Sequence, residues 1–418
     1  MARRAFFALV PASLMLLCGL GVLYLSNLLQ LNALLCTEFA ILTVTPFFVQ
    51  AIALRLKRDM DLALFPFAVA LSFLGILLVA RLKPSLLLAQ MHWAFLGMVT
   101  FLLVLGFRRR VLRLLDYPYL VGLCCLLLLC STLFFGTEIG GSKNWIVLGP
   151  IAVQPSEFGK ALLVFFLAAY LSMHRETLTL ARHHLLWLRL PDLRFIAPLL
   201  LIWGVAILMF VVARDLGSAL LFFGIAIFMT YMATGRLSYV FLALVFFSGA
   251  GALSASLFPH VHARFAIWLH PWTDPDGQAF QIVQSLFAFA AGGIWGEGFG
   301  HGLPTLIPEV HTDFVFAAIG DELGLLGALG VMLLYALFFH RAMRVALQAQ
   351  EDRQILLAAG TAVVFLLQAF IIIAGVTKFL PLTGITLPFV SYGGSSMVSG
   401  FLLLGVLVAL SKKENRHG

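Results

Sequence analysis

Twelve apolar runs of membrane-spanning length divide the chain, and that pattern restricts it to one class of fold. They lie near residues 5–27, 33–54, 62–80, 88–106, 116–135, 157–173, 195–213, 216–233, 238–258, 312–339, 354–376 and 385–410. A bilayer's hydrocarbon core takes about 20 apolar residues per helix. Inside it each backbone polar group must be bonded within the protein, so helices are the expected elements. With 62% hydrophobic and only 11% charged residues among 418, the expected fold is an all-α polytopic membrane protein. No small-residue cleavage site follows the first run, so it reads as a retained helix and not a signal peptide. The five cysteines, Cys18, Cys36, Cys124, Cys125 and Cys130, all fall in apolar runs. They suggest membrane-buried thiols without a disulfide framework or metal-ligand spacing.

The net charge of +8 is a topology signal and does not imply nucleic acid. With the N-terminus in the cytoplasm, twenty of the 27 Lys and Arg fall on the inner side. These include Arg3, Arg4, Arg55, Lys57, Arg58, the run Arg108 to Arg110, Arg113, Arg175, Arg182, Arg189, Arg194 and Arg236. Arg341, Arg344, Arg353, Lys412, Lys413 and Arg416 complete the set, which orients the chain by the positive-inside rule with both termini cytoplasmic. Arg81, Lys83, Lys143, Lys160, Arg214, Arg264 and Lys378 are left on the outer side. Two long outer connections, 136–156 and 259–311, are too apolar for disordered linkers. A short helix is expected at 278–295, on or dipping into the outer surface. Trp268, Trp272 and Phe280 in the longer loop suggest a protein partner.

The strongest chemical signal is Pro308-Glu309-Val310-His311-Thr312-Asp313-Phe314, where an aqueous loop enters a long apolar helix. Charge at a bilayer boundary is costly and marks a functional candidate. The plain alternative is a hydrated helix start, with Thr312 as N-cap and Asp313 favoured by the helix dipole. Gln154-Pro155-Ser156-Glu157-Phe158-Gly159-Lys160 opens the sixth span. Glu157 and Lys160 share a helix face there, either as a structural ion pair or as a polar wall whose lysine reaches a phosphate. Arg214-Asp215 reads as the tight turn of a helical hairpin with a solvated ion pair. Trp145 reads as an interfacial anchor or a platform for a sugar face. Asp321 and Glu322 lie two turns beyond Asp313, as a relay or as partners of a neighbour. Gly320, Gly324 and Gly327 at helical spacing would admit another helix closely. The stretch 381–396, rich in Pro, Gly and Ser, is too irregular for a plain span and suggests the wall of a polar cleft.

Taken together these segments resemble the SEDS family (shape, elongation, division and sporulation), which includes FtsW, RodA and SpoVE. The matching residues are Asn144-Trp145-Ile146, Gln154-Pro155-Ser156-Glu157-Phe158, Asp215-Leu216-Gly217-Ser218-Ala219, Asp274-Pro275, Gln284-Ser285, Gly292-Gly293, residues 308–314 and residues 388–396. The resemblance spans roughly 61–411. It implies a SEDS core at 61–411, two additional N-terminal helices within 1–60 and a cytoplasmic tail at 412–418. The two added spans depart from the family's usual ten. A second departure is that 371–379 lacks the asparagine that commonly precedes the last Pro-x-x-Gly segment.

The resemblance implies a peptidoglycan glycosyltransferase that polymerises lipid II, an undecaprenyl-pyrophosphate disaccharide pentapeptide, at the outer face of the bacterial cytoplasmic membrane. It would serve division or cell shape beside a class B penicillin-binding protein and other divisome or elongasome membrane proteins. Asp313 matches the family's catalytic carboxylate. The expected substrate contacts are Trp145, Glu157, Lys160, Arg264, Glu309, His311, Thr312, Lys378, Ser391 and Ser395. Joining an α-linked glycosyl pyrophosphate to a hydroxyl in β linkage inverts the anomeric centre in one displacement. That needs one general base, and cations for a leaving group that is already good. Lys160, Arg264 and Lys378 are the available cations. Mg or Mn is compatible with a pyrophosphate, but no ligand cluster demands either. A flippase would place its charges near the bilayer midplane on paired broken helices; here they gather at the outer ends of spans, and no internal repeat is visible.

Overall fold

The computed structural model describes residues 6–30, 32–56, 60–139, 142–149, 151–179, 183–185, 188–190 and 193–411. Arg3, Arg4, Lys57, Arg58, Arg182, Lys412, Lys413, Arg416 and the expected tail at 412–418 lie outside them. Among the described residues nine helices are long and apolar enough to cross a membrane. Three shorter apolar helical stretches, Leu9–Leu25, Ala197–Val212 and Gly394–Leu410, coincide with the other three runs. The thirteen-residue helix Phe280–Gly292 is the short one expected in the long loop. All five cysteines are free.

The chain divides into two compact units. The first comprises residues 1–108, 267–342 and 368–418. Its helices are α1 (Leu9–Leu25), α2 (Ala33–Leu56), α3 (Phe65–Leu82) and α4 (Leu87–Gly106), then α11 (Phe280–Gly292), most of α12 (Val315–Gln348) and α14 (Gly394–Leu410). Helix α14 packs along α4, α1 packs on α3, and α2 on α4. The core is α3, where Phe65, Val69, Phe73, Ile76 and Val79 are fully buried.

Helix α12 is too long for one straight span, at 34 residues, and it breaks at Gly324 (φ 67°, ψ −168°). Only glycine adopts that conformation without strain. A glycine-rich strand of chain fills the break. The Leu325 amide donates to Gly293 O at 2.9 Å, and the Glu297 and Gly298 amides donate to the carbonyls of Asp321 and Glu322, both at 3.0 Å. Backbone freed by a broken membrane helix is thereby bonded again. The glycine spacing thus works differently from expectation. Helix α11 does approach closely at Gly320, against Gly292 and the Phe289 ring. Gly324 instead admits an irregular loop, and Gly327 faces Leu323 of its own helix.

The second unit comprises residues 109–266 and 343–367. It contains α5 (Pro118–Phe135), α6 (Pro155–Met173), α7 (Leu193–Val212), α8 (Leu216–Thr234), α9 (Leu237–Leu257) and most of α10 (Pro259–Leu269, whose last three residues belong to the first unit), with the first part of α13 (Asp352–Val376). Helices α5 and α6 pack tightly, and α8 fits between α7 and α6. Arg353 bonds Asp116 at 2.6 Å and Arg175 bonds Asp352 at 2.7 Å. An antiparallel sheet, β1 (Thr137–Ile139), β2 (Ser142–Leu148) and β3 (Ile151–Val153), occupies the connection between α5 and α6. The β-branched run Ile146-Val147 pairs with Val153-Ala152 across a turn at Gly149 (φ 64°). These strands, and the hairpin His183–Leu185 with Leu188–Leu190, add short β elements to a helical fold.

Candidate active site

In the first unit the acidic loop is fastened to the irregular segment before α14. The Tyr392 amide donates to His311 O at 2.9 Å. The Ser391 hydroxyl donates to Thr312 O at 2.6 Å while accepting from the Leu387 amide at 2.8 Å. Gly384 (φ 69°) lies against the Asp313 carboxylate, where an added Cβ would stand 3.4 Å from Oδ2. A side chain there would touch the carboxylate and strain the backbone. The Gln90 amide, fully buried, spans Ser391 O and the Gly393 amide at 3.3 and 3.4 Å. Gln368 donates to Thr386 O at 3.0 Å, and the Thr386 hydroxyl donates to Ser396 Oγ at 2.7 Å. Between Thr386 and Gly393 the irregular backbone is therefore bonded repeatedly to polar side chains, as membrane depth demands.

The helix start differs from expectation. Helix α12 begins at Val315, so Asp313 stands in the preceding turn. Thr312 is not its N-cap: its hydroxyl donates back to Glu309 O at 2.9 Å. Glu309 takes a left-handed conformation (φ 54°) that closes this turn, and both the Thr312 and Asp313 amides donate to its carbonyl. The exposed Glu309 carboxylate stands 3.8 Å from His311 Nε2. Burial lowers the His311 pKa below its usual value; Glu309 opposes the shift, and Lys83 adds to it. Lys83 is thus a cation close to the acidic loop that the sequence did not single out. The Tyr392 ring is 5.8 Å from that of His311.

Lys378 caps the end of α13 in a left-handed conformation (φ 62°), and its carbonyl accepts the Trp268 indole at 3.1 Å. Trp268, expected to await a partner, is therefore half-buried and bonded within the chain; Trp272 is exposed and Phe280 half-buried. Ser395 is buried in the first turn of α14. Asp313, Glu309, His311, Thr312, Lys378, Ser391 and Ser395 all belong to the first unit.

Trp145, Glu157, Lys160 and Arg264 belong to the second unit. Trp145 sits on β2 opposite Thr137, whose hydroxyl donates to the Trp145 carbonyl at 3.0 Å. Pro155 opens α6, and Glu157 and Lys160 form a direct, buried ion pair one turn in. Asp215, expected in a solvated pair with Arg214, is instead buried, because it caps α8 and collects donors. It accepts from Asn144 Nδ2 and the Ser218 hydroxyl, both at 2.7 Å, and from the Ser218 amide at 2.9 Å. Gln154 donates to it at 3.4 Å. Arg214 turns to Glu138 at 3.7 Å. Asn144 and Ser156 line a small cavity with Thr132 and Met209. Arg264 lies on α10 near His260, whose pKa is lowered by burial and then by Arg214 and Arg264. Among the described residues no group of three or more His, Cys, Asp or Glu is placed to hold a metal ion.

A profile of the FtsW, RodA and SpoVE family, described as cell cycle protein, matches residues 60–416. The chain belongs to that family. As a family member it is similar to peptidoglycan glycosyltransferase RodA of Mycobacterium tuberculosis H37Rv, 36% identical over 97% of this chain and 91% of the relative. Stage V sporulation protein E of Bacillus subtilis is 34% identical over 77% of this chain and 86% of its own length. Among solved structures, RodA of Thermus thermophilus superposes with a TM-score of 0.59 at 27% identity, covering 84% of this chain and 96% of that one. A chain from a peptidoglycan synthase complex, described by its structural coordination of polymerization and crosslinking, gives 0.68 at 28%, covering 84% and 97%. This SEDS protein is an integral membrane glycosyltransferase. The polar residues that build its wall but escaped the sequence reading, Gln90 and Gln368, carried a usable signal: each is an amide inside an apolar run.

Proposed function

We propose that this peptidoglycan glycosyltransferase polymerises lipid II into glycan strands at the outer face of the cytoplasmic membrane, with Asp313 as general base. The observation that carries the proposal is the placement of Asp313. Its carboxylate stands in a turn whose carbonyls are tied to Tyr392 and Ser391, and it is flanked by Gly384. A base held in this way can take the proton of an attacking sugar hydroxyl as the new C1–O bond forms and the C1–O bond to pyrophosphate breaks. The cations of the first unit assigned to the departing pyrophosphate are Lys378 and Lys83. Glu309, His311, Thr312, Ser391 and Ser395 are assigned to the remaining substrate. Mg or Mn, when present, would add neutralisation of the pyrophosphate. A class B penicillin-binding protein is the proposed partner, and α1 and α2 are additions to the family core that brace α3 and α4.

The test is glycan-strand formation from purified lipid II in detergent, with and without the cognate transpeptidase. No membrane barrier exists there, so a flippase would leave the substrate unpolymerised. Strands are expected; their absence even with the true partner would overturn the proposal. Reporter fusions at residue 418 are expected to read cytoplasmic and fusions within 262–310 external, as the charge distribution requires.

A further inference from the structure

One peptide bond, Gly302–Leu303, is gripped from both sides. Arg81 Nη2 donates to Gly302 O at 2.9 Å, and the Leu303 amide donates to Asp321 Oδ2, also at 2.9 Å. Arg81 Nε is in turn paired with Glu322 Oε1 at 2.9 Å. The side chains of Arg81 and Glu322 are 11% and 0% exposed, and Asp321 is buried. Gly302 has no room for a side chain, since an added Cβ would stand 2.5 Å from Asp321 Oδ2. Arg81 comes from the end of α3, and the two acids lie just ahead of the break in α12 at Gly324.

A buried ion pair is weak evidence for stability, because desolvation offsets much of the attraction and an apolar pair would pack as well. This pair instead fixes a backbone. Beyond Leu303 the hydrogen bonds are local, Leu306 to Leu303 and Ile307 to Pro304, until His311 and Thr312 reach Tyr392 and Ser391. The loop carrying Asp313 is thus tied down at two points, and Gly302–Leu303 is the upstream one.

The geometry points to Arg81, Asp321 and Glu322 as positioning residues: by clamping the Gly302–Leu303 peptide they set the register of the loop that presents Asp313. The inference rests on the general-base assignment of Asp313. A misplacement of about 1 Å at a reacting group can cost on the order of 10²-fold in rate. Loss of the clamp should therefore appear in kcat and leave KM for lipid II near its original value.

The decisive variant is the double substitution Arg81→Met with Glu322→Leu, which removes both members of the buried ion pair together, so that neither is left without the other, and keeps Asp321 on the Leu303 amide. Hydrogen–deuterium exchange across 303–313 and lipid II polymerisation kinetics are measured on the same detergent preparation. The expected result is a folded protein, faster exchange in that segment and kcat reduced on the order of 10²-fold. Asp321→Asn keeps an acceptor for the Leu303 amide and should retain activity, whereas Asp321→Leu should not. Unchanged exchange in the double variant, or faster exchange with unchanged kcat, would overturn the clamp. An active Asp313→Asn protein would overturn the base assignment and the proposal with it, whatever the exchange data show.

Discussion

The hydroxyl of Ser391 donates to the carbonyl of Thr312 at 2.6 Å, joining the residue before Asp313 to a segment 79 positions later in the chain. The same oxygen accepts from the buried Leu387 amide. One hydroxyl thus satisfies two backbone groups in a region where water competes poorly.

Ser391→Ala removes both bonds at once. Leaving a buried backbone group unpaired costs about 1–3 kcal/mol. The variant should unfold at lower temperature in detergent and form glycan strands more slowly, because the carbonyl next to the proposed base is released. A melting curve superimposable on that of the parent protein would show that the Ser391 bonds contribute nothing net.

His311 supplies a pH test. Its pKa in the folded protein lies below the usual 6.5, so between the depressed value and 6.5 the unfolded chain binds more protons than the folded one. Stability must then rise with pH across that window and level off above it. His311→Gln should flatten this part of the profile. Melting temperature measured against pH for the two proteins checks the slope, and a steeper slope in the variant would contradict the assignment.

In the second unit, Asp215→Asn exchanges an acceptor of four donors for a group that presents a donor to one of them. Hydrogen bonds to a charged group are worth about 1.5–3 kcal/mol each. The expected outcome is a destabilised protein with looser packing of β2, visible as faster hydrogen exchange at Asn144 and Trp145. Asp215→Glu, which keeps the charge, should not restore the cap, because the longer side chain overshoots the Ser218 amide.

Helix positions were legible because apolar length against a 30 Å hydrocarbon layer leaves little freedom. Their ends were less so. Thr312 looked like an N-cap, but the left-handed turn at Glu309 (φ 54°) delays α12 to Val315, and nothing local in the sequence encodes that. The break at Gly324 was hidden for a similar reason: a glycine among apolar residues reads equally as a packing notch or a broken backbone. Motif order identified the acidic loop and the 388–396 segment, whereas their attachment through Ser391 and Tyr392 is a tertiary fact. Asp215 shows the opposite error. An Arg-Asp dipeptide suggests a solvated pair, yet Asn144, Gln154 and Ser218 converge on the acid and draw it inward.

Asp313→Asn keeps the size and shape of the side chain while removing its capacity to accept a proton. General-base catalysis contributes roughly 10²–10⁴ in rate, so strand formation should fall by that factor with lipid II binding and the partner complex retained. Glu309→Gln is the internal control. Glu309 is exposed and 3.8 Å from His311, so a merely orienting role predicts a smaller loss than at Asp313. If Glu309→Gln proves the more damaging change while Asp313→Asn polymerises near normally, the base is Glu309 or a group it controls, and the turn closed by Glu309 becomes the centre of the mechanism. If both variants are inactive and neither binds lipid II, the loop is a binding element and the proton acceptor lies elsewhere. Binding retained with chemistry lost, at Asp313 above all, is the pattern that a carboxylate carried on this tethered turn beside Gly384 predicts.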